Sequence, residues 1–319
     1  MGRVIILERA IIRQPLMATK QHNWQPVLSL LAGATLWGVV WYPMRLLEAH
    51  GLSGPWLTML LYFAATIGGV ILTARQLPTI SRQPVLMLGI AISAGWTNLA
   101  FVLAILDGNV MRVLFLFYLS PAWAILLGWL VMKEQIDRWT IVILVVALAG
   151  GWLMLLQPGT AIPVPGSASD WLALTSGIAF AVSNVFVNKA QATSVSIKSL
   201  TAWIGVTVLS LVLVLVRGEP APQLSSSLIL GIIALGWLGT VVMTLFVQYG
   251  VTHMPVHRSG VILLFELVAG ALSQQLLTDE NLVAREWIGG TLVVIASLLI
   301  AGRQYRQSGS TDSREGMRQ

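Results

Sequence analysis

The 319-residue chain has no cysteine, which excludes disulfides, zinc-thiolate sites and thiol nucleophiles. Charge is scarce as well: Asp, Glu, Lys and Arg make up 10% of the residues, against roughly a quarter in soluble domains. No GxxxxGK[ST] loop, HExxH or GxSxG motif occurs, and no helix carries paired mid-span acids. These gaps argue against ATP-driven chemistry, an intramembrane enzyme and a bound cofactor. What fills the chain instead is apolar: 56% hydrophobic residues and a mean hydropathy of +0.80 define an integral membrane protein. Its length is therefore counted in spans of roughly 20 residues rather than in soluble domains.

Apolar runs between polar or Pro/Gly breaks predict ten transmembrane helices, over 27–47, 55–75, 85–106, 110–132, 139–156, 170–189, 198–216, 227–250, 256–277 and 285–302. The leading segment is not a signal peptide, because Glu8 and Arg9 interrupt its apolar run; Met17 is an equally good start. A net charge of +6 would elsewhere suggest nucleic acid, but here the basic residues lie in tails and short loops. If the N-terminus is cytoplasmic, fifteen of the nineteen Lys and Arg fall on that side, leaving Arg45, Arg112, Arg217 and Arg285 outside. That bias supports both termini inside; the expected location is the plasma membrane, in a bacterium the inner membrane, crossed many times.

The Pro-, Gly- and Ser-rich stretch "QPGTAIPVPGSASD" divides five spans from five. It gives an N-terminal segment 1–25, a first five-helix repeat 26–156, a linker 157–169, a second repeat 170–302 and a tail 303–319. "FLFYLSPAWAILLGWLVMKE" (115–134) lies on "VILLFELVAGALSQQLLTDE" (261–280) without a gap. The offset of 146 pairs Arg112 with Arg258, Ser120 with Glu266 and Glu134 with Glu280. An odd number of spans per half turns the second copy upside down. Inverted repeats of this kind mark secondary transporters, whose substrate sites lie near mid-membrane at the repeat interface.

Of the thirteen acidic residues, Glu266 alone falls at the centre of a predicted span. Burying a bare carboxylate there costs at least about 2.5–3.5 kcal/mol, so it reads as a substrate counter-ion, a proton site or a partner to a buried donor. A carboxyl group whose proton affinity is balanced between burial and a nearby cation can exchange a proton for a cationic substrate. The plainer reading is helix-packing glue. Ser120-Pro121 is its repeat counterpart: Pro121 cannot donate to the Phe117 carbonyl, so a kink and a polar spot are expected, with Pro121 as hinge. Asn98, Asn184 and Gln248 are further mid-span amides that bind a polar solute or bridge helices.

Trp37, Trp96 and Tyr118 lie deep enough to form an aromatic wall for a substrate or cation. Trp24, Trp56, Trp139, Trp171 and Trp287 sit near span ends and read as interfacial anchors. Arg45, Arg112, Lys189 and Arg258 mark helix ends and read as snorkelling cations. The helix-end acids Glu134 and Glu280 read as gate or loop contacts, or as solvated ends. Small-xxx-small spacings, Gly177 to Ala181 and Ala147 to Gly151, permit close helix contact and leave a homodimer open.

"LSPAWAILLGWLVMKE" (Leu119–Glu134), "ATLWGVVWYPMR" (Ala34–Arg45) and "FELVAGALSQQLLTDE" resemble the fourth, first and ninth helices of the drug/metabolite transporter superfamily, in particular its ten-helix EamA-type exporters. The resemblance covers roughly residues 26–302. It departs at Leu267, where a proline commonly follows the Glu, and at Ala181, where Trp is often seen. Whether span 9 bends as span 4 does is thereby open. The resemblance places Glu266, Ser120, Asn98, Asn184 and Gln248 around a central cavity. It implies export of amino acids or related metabolites by alternating access, with multidrug or organic-cation export as runner-up. The expected partners are a small-molecule substrate and the lipid bilayer, with no nucleic acid. A channel fits ten spans but not the inverted duplication.

Overall fold

In hydrocarbon a helix must satisfy its own backbone hydrogen bonds, so the architecture follows from where apolar runs are long enough to do so. A computed structural model describes residues 24–108, 110–156, 165–278 and 282–315. Among them it contains ten helices able to cross a membrane. Spans 1 to 5 are Gln25–Ala49, Gly54–Arg82, Pro84–Ala104, Val113–Met132 and Arg138–Leu155. Spans 6 to 10 are Ala168–Lys189, Val195–Arg217, Ser226–His253, Val256–Leu277 and Ala284–Arg303. There is no strand among the described residues. The N-terminal segment, most of the inter-repeat linker and Glu280 lie outside the described residues, as does the side chain of Arg112.

Local chemistry sets several of the ends. Span 5 begins at the Asp137 cap, whose carboxylate accepts from the Thr140 N–H. Span 6 begins with a capping box in which the Ser167 hydroxyl and the Asp170 carboxylate each accept from the other's backbone N–H. Span 7 ends at Gly218, whose left-handed backbone suits glycine. Span 4 ends differently. Lys133 takes the left-handed conformation (φ 55°), alone among the described non-glycine residues, and turns Glu134 back toward its own helix.

The inverted duplication is visible in the packing. Span 3 packs on spans 6 and 7, and span 8 correspondingly packs on spans 1 and 2. Span 4 packs on span 6, as span 9 does on span 1. Three further pairs, 2 with 7, 4 with 9 and 5 with 10, join a span to its own repeat counterpart. At the crossing of spans 5 and 10 the backbones meet through Gly150 and Gly289: a Cβ on either would come within 2.6 Å of the other's carbonyl oxygen. Both small-residue motifs are likewise used inside the chain. Gly177 faces the Phe117 carbonyl of span 4, Gly151 faces Leu267 of span 9, and Ala147 and Ala181 are fully buried. They therefore offer no surface to a second copy.

Spans 4 and 9 are each two segments, Val110–Phe117 with Ser120–Met132, and Val256–Leu263 with Phe265–Leu277. The breaks fall at equivalent places under the 146-residue offset, so span 9 does break without a proline. In span 4, Pro121 removes the donor that the Phe117 carbonyl needs. In span 9 the Leu267 N–H turns to the Leu264 carbonyl at 3.1 Å, one residue short of helical register, with the Leu264 N–H likewise bonded to Val261 at 3.2 Å. Span 1 also breaks, at Val40, three residues before Pro43, whereas span 6 is continuous.

Trp24, Trp139, Trp171 and Trp287 are exposed near span ends, as interfacial anchors would be. Trp56 instead packs against the buried cluster of Leu52, Leu57 and Leu228. Close approach at the crossing of spans 5 and 10 predicts that Gly289→Ala destabilises the protein by about 1–3 kcal/mol through overpacking. Gly302→Ala, with nothing within 4 Å of its Cβ position, should instead be neutral or stabilise by about 0.5–1 kcal/mol. Thermal unfolding of the two variants in detergent checks the contrast.

Candidate functional site

The breaks in spans 4 and 9 face a cavity of about 190 Å³ between the repeats. Tyr118, Ser120 and Pro121 reach it from one break, and Gly260, Leu263, Leu264 and Glu266 from the other. Glu266 sits in the first turn of Phe265–Leu277, where the positive end of the helix dipole favours a carboxylate. The Tyr118 phenol is its hydrogen-bonding partner. Among the described residues Glu266 is the one charged side chain in the lining.

The structure brings seven of the expected binding residues to this cavity: Glu266, Ser120, Asn98, Asn184, Gln248, Trp37 and Tyr118, together with the hinge residue Pro121. Trp96 is not among them. One helical turn brings neighbouring residues of span 3 to different faces: Asn98 lines the cavity, while Trp96 is 38% exposed and points its indole N–H at the Thr175 hydroxyl, 3.4 Å away.

Asn98 is already engaged, accepting from the Tyr62 hydroxyl at 3.1 Å and donating to the Ala94 carbonyl at 3.0 Å. Asn184 and Gln248 are not fully engaged. The Asn184 Nδ2 and the Gln248 Oε1 are buried without a protein partner, as are the Thr244 hydroxyl and the Trp203 indole N–H. All four residues line the same cavity. Buried polar groups are normally bonded, so such a cluster beside a void is a natural place for a solute or water to complete the set.

Sequence reasoning missed Tyr62, Phe101, Phe117, Phe180 and Trp203 as lining residues. Three of them form one stack, with Phe117 4.9 Å from Phe101 and 5.9 Å from Phe180 between ring centroids. Phe117, directly before Tyr118 and the Ser-Pro pair, carried a positional signal; the others needed knowledge of which helix face points inward. A short π-helical stretch, Leu235–Val241, precedes the cavity residues Thr244, Val247 and Gln248 in span 8. Such stretches re-aim the side chains that follow them.

A second polar group lies at the face where span 1 begins and span 10 ends, here the terminal face. Glu134 accepts from the backbone N–H groups of Val256 and His257 at 2.9 and 3.4 Å, and His257 Nδ1 lies 2.6 Å from its carboxylate. Arg258, expected to snorkel, is instead buried, with the Glu134 and Asp137 carboxylates favouring its charge and the Arg303 cation opposing it. Arg303 bridges to Asp137 at 2.6 Å. Lys198, at the start of the predicted seventh span, is fully buried; its ammonium donates to the Thr252 hydroxyl at 2.6 Å and the Val187 carbonyl at 3.1 Å. Arg45 remains near water, stacked 5.5 Å over the Trp41 ring, and Lys189 is exposed.

Ten spans in two inverted halves around a mid-membrane polar cavity define a membrane carrier architecture. The EamA-like transporter family model matches residues 24–156 and again 167–302. The chain belongs to that family, and is thus a drug/metabolite transporter of multi-pass membrane type. A solved crystal structure of a protein 18% identical in sequence shares the fold, with a TM-score of 0.71 over 89% of this chain and 99% of that one. No curated protein sequence matches the chain.

Burial pushes the Glu134 carboxyl up, but its bonds from His257 and Val256 outweigh this and hold it below its ordinary value of 4.5. A depressed folded-state pKa contributes stability above the unfolded value, lost as pH falls through the folded one. The natural protein should therefore lose stability below about pH 4.5 more steeply than Glu134→Gln, as read from unfolding midpoints across an acid series.

Proposed function

We propose that the protein is a secondary transporter that exports amino acids or related small metabolites, working by alternating access of the two halves around the central cavity. The observation that carries this reading is Glu266: a carboxylate in a lining otherwise free of charge among the described residues, beside aromatic walls and unpartnered amides. A protonated amine is the natural complement of that carboxylate. The carboxylate of an amino acid would turn to the Ser120 hydroxyl and the Asn184 amide, which line the same cavity. With no basic side chain in the described lining, a solute carrying only negative charge would meet no counter-ion.

The cavity volume of about 190 Å³ matches on the order of six water molecules at about 30 Å³ each. That is room for a small metabolite. The aromatic lining favours one further reading, export of a compact lipophilic cation, since Trp37, Tyr62, Tyr118 and Trp203 offer ring faces that attract positive charge. The positive bias of the tails and loops supports termini in the cytoplasm of a plasma membrane.

Counterflow into proteoliposomes preloaded with a metabolite pool, read by mass spectrometry, tests the proposal. Zwitterionic amino acids should exchange, and Glu266→Gln should weaken them roughly ten- to a hundredfold, the worth of a charge-assisted hydrogen bond of about 1.5–3 kcal/mol. Exchange of lipophilic cations alone would favour the second reading. If Glu266 also couples transport to protons, Glu266→Gln should remove the pH dependence of flux between pH 5.5 and 8.5. Retained coupling would sink that role.

A further inference from the structure

At the terminal face one carboxylate joins the two repeats. Span 4 stops at Met132, Lys133 reverses the chain, and Glu134 reaches across to cap the first turn of span 9 through the Val256 and His257 N–H groups and the His257 ring. The seat is shaped for it: a Cβ on Gly128 would overlap the Glu134 carboxylate. The two spans held together here are the same two whose breaks line the cavity. Moving them apart at this face requires the carboxylate to leave all three of its partners.

We propose that Glu134, seated on the first turn of span 9, is the latch that keeps the cavity closed toward the terminal face. Its release is the step that admits solute from that side. The repeat makes the device one-sided. Under the 146-residue offset Glu134 has its counterpart in Glu280, but His257 corresponds to Met111, so the sequence repeats the carboxylate and not the imidazole. The inference rests on the carrier reading above, yet its readout needs no substrate.

The absence of cysteine makes the test clean. A reporter Ala94→Cys, in the cavity lining, is labelled with a membrane-impermeant maleimide in vesicles exposing either face. Glu134→Gln and Gly128→Ala, the second displacing the carboxylate without altering charge, should each speed labelling from the terminal face roughly ten- to a hundredfold. Parental rates in well-folded samples of both variants would overturn the latch. Where a variant does not fold, the pair Glu134→Cys and His257→Cys, joined by a reducible cross-linker, replaces it. Cross-linking should block labelling from the terminal face until reductant is added, and unimpeded labelling of fully cross-linked protein would overturn the idea. Solute flux measured in the same vesicles separates the two proposals: a labelling shift in a protein that moves no solute supports the latch while sinking the carrier reading.

Discussion

A backbone carbonyl that has lost its helical partner cannot face lipid. That constraint organises the whole molecule. Spans 4 and 9 are both broken near their middles, so both breaks must turn inward, and they meet at the seam between the two repeats. The cavity is where they meet. Its polar lining follows from the same cause, since Ser120, Glu266, Asn184 and Gln248 tolerate mid-membrane depth only by facing one another's space rather than hydrocarbon. The Phe117 carbonyl, freed by Pro121, finds room because Gly177 of span 6 has no side chain: a Cβ there would lie 2.7 Å from that oxygen.

Symmetry sets the frame, and departures from it set the chemistry. The packing pairs of one repeat recur in the other, yet Ser120 stands where Glu266 does, Met111 where His257 does, and span 1 is broken where span 6 is whole. A fully symmetric cavity would carry either two acids, which repel at mid-membrane, or none. One acid where the other repeat has a hydroxyl gives the lining a single anionic spot, so its polarity is set by one repeat alone.

Much of this was legible in the sequence because the membrane simplifies the code. A continuous apolar run is a span whatever its neighbours do, so span positions and the repeat offset could be read directly. Glu266 was legible for the same reason, being costly at that depth. Helix face was not: nearly uniform hydrophobicity erases the amphipathic signal that tells inside from outside in a soluble helix, so Trp96 and Asn98, two residues apart, could not be separated, nor Tyr62 and Trp203 found. The bend in span 9 was illegible for another reason. Proline announces a break, but in span 9 the same geometry is held by i→i−3 hydrogen bonds at Leu264 and Leu267 that any sequence can make. Lys198 and Arg258 misled because a cation near a span end looks like one reaching for water, whereas here a carbonyl of span 6, a hydroxyl and acids meet them inside the protein.

The separation of the two polar groups has an energetic logic. A carrier must leave each of its states reversibly, so the contact that closes one face has to be comparable in strength to what the solute gains by being enclosed. A solute that bound both states equally would shift nothing, however tightly it bound. Glu134 makes its bonds to backbone N–H groups and one imidazole from the end of span 4, where it is still partly exposed, so a released carboxylate could reach water while the buried first turn of span 9 would lose its acceptor. Glu266, deep in the protein, has no such escape. Its protein partner there is the Tyr118 phenol. One carboxylate can thus exchange protein partners for water, whereas the other is committed to whatever the cavity holds.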